Sequence, residues 1–121
     1  MSGLHHVALR VRDCGVSARF YTQAFGLREI RRSGDESGLR AVWLDAFGTV
    51  LMLERAIRGH GASEGSGHVL VFPCADLDAA IARLETLGIP VTDRTTATLY
   101  VEDPDGHRAG LSVYAFGPPT A

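Results

Sequence analysis

The amino-acid sequence predicts an α+β fold built from two tandem βαβββ modules. In both halves of the 121-residue chain, a strand-like alternation precedes a helix-like stretch and three further strand-like runs. Each helix-like stretch follows an aspartate and ends at a glycine, residues typical of helix caps. A segment rich in glycine and serine separates the halves. We therefore assign a first module to residues 1–56, a linker to residues 57–67 and a second module to residues 68–121.

The first module begins with the strand "HHVALRVRD", residues 5–13, whose apolar residues alternate with polar or small ones. Asp13 then caps the helix "CGVSARFYTQAFG", which ends at Gly26. Val16, Phe20 and Ala24 recur at helical spacing, which predicts that they form the buried face of this helix.

Three predicted strands complete the first module: "LREIRR", "LRAVWLDA" and "TVLMLERA". Turns are expected at residues 33–37 and around Gly48. Arg28, Arg31 and Arg32 cluster in the first of these strands, and acidic residues follow them directly. This pattern is typical of a solvated strand edge.

The second module repeats the same order of elements. The strand "HVLVFPC" precedes Asp76, which caps a helix that ends at Gly88, and the strands "PVTDRTT", "TLYVED" and "HRAGLSVYAF" follow. The apolar stripe of this helix consists of Leu77, Ala80, Ile81, Leu84 and Leu87.

Composition excludes several classes of function. The formal net charge of −2 offers no broad basic surface for nucleic acid or an anionic membrane. No apolar stretch is long enough to span a bilayer, and the N-terminus does not read as a signal peptide. Cys14 and Cys74 are too few for a disulfide framework. We expect a cytoplasmic protein in which both cysteines are structural.

One helix should pack outside each curved, mixed sheet and leave the other face of that sheet open. The residues expected to face the helices are Val7, Leu9, Val11, Leu44, Leu51 and Leu53 in the first module and Leu99, Val101, Ala109, Leu111 and Val113 in the second. The two open faces are expected to enclose a ligand cup. The residues of opposite parity, which would line it, are His6, Ala8, Arg10, Trp43, Asp45, Val50, Met52, Glu54, Tyr100, Glu102, Arg108, Gly110, Ser112 and Tyr114.

Two segments give the sequence a family resemblance. "LHHVALRVRDCGVSARFYTQAFGL" in the first module and "VEDPDGHRAGLS" in the second resemble the opening strand and helix and the closing hairpin of the vicinal oxygen chelate superfamily. That superfamily includes glyoxalases, bleomycin resistance proteins and extradiol dioxygenases. The resemblance covers nearly the whole chain and implies the fold predicted above and a homodimer. It does not specify a reaction.

Metal-dependent members bind one divalent ion through histidines on the first strand of each half and glutamates on the last strands. His6 matches the first histidine position, whereas His5 has the wrong parity and should point away. In the second half, either His68 or Val69 stands in the ligand register. The resemblance places Met52 and Gly110 where the two glutamates are expected. Both expected carboxylates are therefore missing.

The leading hypothesis is a metal-independent protein that binds a small aromatic or anionic molecule, without a cofactor. Trp43 and Tyr100 would offer stacking surfaces, Arg10 or Arg108 would hold an anionic group, and Gly110 would clear space for the ligand. The predicted ligand-binding residues are Arg10, Trp43, Asp45, Met52, Glu54, Tyr100, Arg108, Gly110 and Ser112.

The alternative hypothesis is a lyase, isomerase or dioxygenase of the glyoxalase type. In one form a divalent metal (Ni, Zn, Mn or Fe) is held by His6, His68 and Glu54. In a metal-free form His6 is a general base polarised by Glu54 or Asp45. His60 and His107 are expected to be exposed and receive no role.

Overall fold

The computed structural model describes residues 4–55 and 68–115. The predicted linker and His60 lie outside these ranges. The chain forms two compact units. Of the described residues, the first unit contains 4–55 together with the turn Asp103–His107, and the second contains 68–102 and 108–115. Among the described residues, no helix is long and apolar enough to cross a membrane.

The first unit is a four-stranded mixed sheet with one helix packed on it. Its elements are β1 (His6–Val11), α1 (Cys14–Phe25), β2 (Arg28–Asp35), β3 (Gly38–Asp45) and β4 (Val50–Arg55). The strand order is β1-β4-β3-β2, with β1 parallel to β4 and the other pairs antiparallel. The predicted βαβββ order is confirmed. Strand β2 reaches Asp35, so the turn that follows it is shorter than expected.

The second unit repeats this arrangement with shorter strands. Its elements are β5 (Leu70–Pro73), α2 (Leu77–Leu87), β6 (Asp93–Arg94), β7 (Thr98–Glu102) and β8 (Arg108–Ser112). The strand order β5-β8-β7-β6 mirrors that of the first unit. Leu99, Val101, Ala109 and Leu111 are buried as expected. Val113 departs from the prediction, because β8 ends at Ser112 and Val113 is exposed beyond it.

Both helix ends follow the cap residues of the sequence. Asp13 accepts hydrogen bonds from the backbone N–H groups of Gly15 and Val16 at the start of α1. Asp76 accepts them from the backbone N–H groups of Asp78 and Ala79 at the start of α2. Gly26 and Gly88 end the two helices in the left-handed conformation, with φ of 72° and 73°. The lengths of both helices are thus determined by local sequence.

The buried face of α1 differs from the prediction. Val16 is exposed and Phe20 is half-buried, so the expected Val16–Phe20–Ala24 face is wrong except for Ala24. The buried residues are Cys14, Ser17, Ala18, Tyr21, Ala24 and Phe25. The helix therefore turns two hydroxyl groups toward the interior, where they bind carboxylates of the turn Asp103–His107.

Asp103 organises this turn from within the first unit. Its Oδ1 accepts hydrogen bonds from the backbone N–H groups of Asp105 and His107, each at 2.8 Å. Its Oδ2 accepts a hydrogen bond of 2.7 Å from the hydroxyl of Tyr21, which is fully buried. These hydrogen bonds offset the large cost of taking a carboxylate out of water.

Asp105 holds the same turn against the start of α1. Its Oδ1 accepts hydrogen bonds from the backbone N–H and the Nε of Arg12, at 2.9 and 3.0 Å. Its Oδ2 accepts a hydrogen bond of 3.3 Å from the Ser17 hydroxyl. An ion pair whose carboxylate is almost completely buried therefore forms at this point.

His107 corrects a further expectation. The sequence pattern predicted an exposed turn residue, but His107 is 2% exposed. Its ring Nε2 lies 2.9 Å from the backbone carbonyl oxygen of Arg10, so the ring satisfies a backbone group of β1. The turn "DPDGH" is a packed part of the first unit because its polar groups find partners there.

Replacing Tyr21 with phenylalanine should destabilise the protein. The change leaves the Asp103 carboxylate buried with one hydrogen bond fewer, which costs about 1–3 kcal/mol. We expect a lower midpoint of urea unfolding for Tyr21→Phe at pH 7. Tyr100→Phe is the matched control, since half-buried Tyr100 keeps its ring contact with Arg108 without the hydroxyl.

Tyr21→Phe should also change how the free energy of unfolding depends on pH under alkaline conditions. Burial, and then the Asp103 carboxylate, hold the pKa of Tyr21 well above its ordinary value of 10.0. The folded state thus retains the phenolic proton, so this contribution is complete below pH 10.0 and is lost as the pH rises through the folded pKa. Between pH 10.0 and the folded pKa of Tyr21, the free energy of unfolding should fall more steeply with pH in the parent than in Tyr21→Phe. Equal slopes would contradict this account of Tyr21.

Candidate functional site

The open face of the first sheet carries the residues that the parity of its strands predicts. Exposed residues of β1 alternate with half-buried Val7 and with buried Leu9 and Val11. In the strand register, His6 lies beside Val50, and Val50 lies beside Asp45. The next row of this face contains Ala8, Met52 and Trp43, and the third contains Arg10, Glu54 and Ala41.

A depression of about 440 Å³ lies on this face. Its lining residues are His5, His6, Ile30, Arg31, Trp43, Val50 and Met52. Four of these, His6, Trp43, Val50 and Met52, were expected to line a ligand cup. The surface combines an indole, a thioether, aliphatic groups and three nitrogen-bearing side chains, which suits a small molecule that has an apolar body and a polar end.

Arg31 is the most informative residue that the sequence interpretation missed. Its guanidinium carbon lies 5.3 Å from the centroid of the Trp43 ring, within cation–π distance. The sequence suggested a solvated strand edge for Arg31. The β2–β3 register shifts between Glu29 and Arg31, however, and Arg31 pairs with Trp43. This irregularity of β2 brings Arg31 to the depression and has no clear signal in the sequence.

His5 and His6 lie together, which corrects the expectation that His5 points away. Their Nδ1 atoms are 2.8 Å apart, and their ring centroids are separated by 5.1 Å. His5 precedes β1, so the alternation of the strand does not determine its direction. Both imidazoles line the depression and present nitrogen donors or acceptors to it.

Three other predicted site residues lie on the same face but outside the depression. Asp45 is 3.8 Å from the guanidinium of Arg28, and its Oδ1 accepts a hydrogen bond from the backbone N–H of Gly48. Glu54 pairs in register with Arg10. Since Glu54 is four positions beyond Val50 along β4, Glu54 is about 13 Å from the row of His6.

The second unit has its own depression, of about 530 Å³, on its open face. Its lining residues are Val71, Phe72, Pro73, Thr98, Tyr100, Ser112 and Tyr114. Tyr100, Ser112 and Tyr114 were expected to line a cup. Thr98 has the same parity as Tyr100 in β7, so its place on the open face could have been predicted from the same alternation. The positions of the three β5 residues could not be predicted before the strand register was known. This surface is mainly apolar.

Gly110 does not provide open space, contrary to the expectation. A Cβ atom on Gly110 would lie 2.7 Å from the carbonyl oxygen of Leu99 and 3.1 Å from Cδ1 of the Tyr100 ring. Gly110 is buried, and its register partner is Tyr100. The glycine is therefore required by the close approach of its own sheet neighbour rather than by a ligand.

Arg108 is engaged within the second unit. Its guanidinium carbon lies 4.3 Å from the centroid of the Tyr100 ring, and its NH2 group donates a hydrogen bond of 3.0 Å to Asp93. His68 lies two residues before β5 and is exposed. Arg108, like Gly110, is absent from the lining of the depression in this unit.

The donors on each face do not fit a divalent metal site of the superfamily type. Beside the His5–His6 pair stand Val50 and Met52, and beside Gly110 stand Val71 and Tyr100. None of these neighbours supplies the carboxylate oxygen that such ions prefer. Over residues 4–55 and 68–115, no group of three or more His, Cys, Asp or Glu side chains is arranged to hold a metal.

The cysteines do not form a nucleophilic site. Burial raises the pKa of the Cys14 thiol, and its Sγ lies 3.5 Å from the carbonyl oxygen of Leu53. Burial also raises the pKa of Cys74. Both thiols are therefore kept protonated at neutral pH, as expected for structural cysteines.

Comparison with known proteins gives one family. Residues 3–111 match the family model described as the Glyoxalase/Bleomycin resistance protein/Dioxygenase superfamily. The chain is 28% identical to a lactoylglutathione lyase of Pseudomonas aeruginosa over 137 aligned positions, covering 85% of this chain and 77% of that protein.

Solved structures share the fold. The fosfomycin resistance protein FosX from Mesorhizobium loti superposes with a TM-score of 0.78 and 23% identity, over 96% of this chain and 94% of that one. FosX from Listeria monocytogenes, in complex with Mn(II) and 1S,2S-dihydroxypropylphosphonic acid, gives a TM-score of 0.78 and 24% identity, over 96% and 95% of the two chains.

Substituting alanine for Gly110 should destabilise the second unit. The added Cβ meets a backbone carbonyl that cannot move without disturbing the β7–β8 pairing, and overpacking of this kind costs about 1–3 kcal/mol. Chemical denaturation measures the loss. Gly15→Ala is the matched control, because its nearest contact would be an ordinary 3.4 Å to Asp13. A Gly110→Ala variant as stable as the parent would contradict the close approach described here.

Proposed function

The chain belongs to the Glyoxalase/Bleomycin resistance protein/Dioxygenase superfamily, and on that basis we propose that it is a metal-independent small-molecule-binding protein. The ligand lies in the depression on the open face of the first sheet. The observation that carries this proposal is the contact between Arg31 and Trp43 beside the aliphatic and thioether groups of Val50 and Met52.

The lining indicates the chemical class of the ligand. Trp43 offers a flat apolar surface for stacking, and Met52 is a flexible group that adapts to different shapes. The Arg31 guanidinium supplies a fixed positive charge at one margin. We therefore propose a ligand with an aromatic or apolar body and an anionic group. FosX of Listeria monocytogenes is in complex with a phosphonic acid, a small anionic ligand.

The donors present on the first sheet support the proposed metal independence. The FosX structure contains Mn(II). In this chain a thioether at Met52 and a hydrogen at Gly110 stand where the superfamily resemblance places carboxylates, and the strand register sets Glu54 one row beyond Met52.

A second candidate function is proton transfer by His6, favoured by the contact between the two imidazoles. An imidazole that exchanges a hydrogen bond with a neighbouring ring is oriented for general base catalysis at a ligand in the depression. The variant His6→Ala distinguishes this candidate from a protein that only binds its ligand. The substitution would abolish turnover but leave the contacts of Trp43 and Arg31 in place.

Binding can be measured without knowing the natural ligand. The sequence contains one tryptophan, so fluorescence emission reports on Trp43. The probe is 1-anilinonaphthalene-8-sulfonate, an aromatic sulfonate that accepts energy from indole. We expect saturable quenching of Trp43, and Arg31→Gln should weaken the affinity roughly tenfold through loss of the charge.

Arg32→Gln is the matched control. Arg32 follows Arg31 in the sequence, carries the same charge and is bound to Glu29 at 2.6–2.7 Å, away from the depression. Its affinity for the sulfonate should equal that of the parent. Equal weakening in both variants would reveal nonspecific attraction and contradict the proposed site, as would a parent protein that gives no saturable signal.

Metal independence has its own test. Protein offered Ni, Zn, Mn and Fe(II) separately and then desalted should retain far less than one equivalent of each metal, as measured by elemental mass spectrometry. Retention near one equivalent that disappears in His6→Ala would show that a rebuilt metal site exists and would overturn this part of the proposal.

A further inference from the structure

The turn between β3 and β4 contains an unusual aromatic residue. Phe47 has a φ of 58°, and Gly48, which follows it, has a φ of 102°. Two-residue turns with positive φ at both central positions favour Asn-Gly or Asp-Gly. A bulky residue in the left-handed region is strained, because its Cβ crowds the following carbonyl oxygen.

The Phe47 side chain gains little within the first unit to offset this strain. It is 58% exposed, so its ring removes only part of its surface from water. An asparagine would satisfy the same turn geometry without the strain or the exposed ring. Strained residues that fold stability does not require cluster at sites of function.

The turn that carries Phe47 is joined to the end of the depression formed by His5 and Val50. The Ala46 backbone N–H donates a 2.7 Å hydrogen bond to the carbonyl oxygen of Thr49, which closes the turn. The Thr49 hydroxyl donates a 3.0 Å hydrogen bond to the carbonyl oxygen of Leu4, the residue before His5. Val50, directly after Thr49, lines the depression with His5.

We propose that Phe47 is a ligand-contacting residue that provides an aromatic wall at the His5–Val50 end of the depression and selects ligands with an aromatic body. The turn fixes the backbone that carries the ring, which contributes to a preorganised binding surface. This inference rests on the proposed function of the same depression and extends it to a residue outside the depression's present lining.

The experiment compares the parent with Phe47→Asn and Phe47→Tyr, using the same aromatic sulfonate and the Trp43 signal. Phe47→Asn relieves the strain and removes the ring. We expect its Tm to rise by about 3–6 °C and its affinity to fall roughly tenfold. Phe47→Tyr retains the ring and should keep the affinity of the parent within about twofold.

The outcomes separate this inference from the proposed function. If the parent binds and Arg31→Gln weakens binding, but Phe47→Asn binds like the parent, the role of Phe47 is overturned and the binding function stands. If Phe47→Asn is less stable than the parent, the strain argument is overturned. If the parent gives no saturable binding, both proposals fail together.

Discussion

The first unit depends on two carboxylates that water cannot reach. Asp103 and Asp105 are buried in a turn between β7 and β8, where an unpaired charge would cost a large fraction of the domain's stability. Their oxygens are satisfied by Tyr21, Ser17, Arg12 and backbone N–H groups. This requirement determines which side of α1 faces inward, because two of the donors, Ser17 and Tyr21, are helix side chains four positions apart.

The orientation of α1 in turn determines what the sheet exposes. Because α1 packs against β3 and β4 and covers residues of one parity there, the residues of the other parity in these strands and in the adjacent β1 face outward together. Trp43, Met52 and His6 share one surface for this reason alone. The orientation of α1 on the sheet thus accounts for both the polar cluster on the helix side and the apolar depression on the other side.

Local patterns in the sequence were sufficient for the fold and for the parity of the open faces. The helix caps at Asp13 and Asp76, the alternation in β1 and the repeat of the two halves all involve residues close in sequence. Such local patterns could not predict contacts between side chains that are far apart in the sequence. Ser17 and Tyr21 interrupt an apolar stripe, and their burial becomes intelligible when Asp103 and Asp105 are in place. The contact of Arg31 with Trp43 depends on a local register shift, which propensities do not encode.

The close approach at Gly110 has a consequence for how this chain can evolve. The superfamily resemblance places a glutamate at that position, but any side chain there meets the Leu99 carbonyl. A point mutation that introduces glutamate there therefore carries a cost in stability unless a second substitution lets β7 move away from β8. Exposed positions such as Phe47 and Arg31 meet no such backbone clash, so they can change one substitution at a time while Gly110 cannot change without loss.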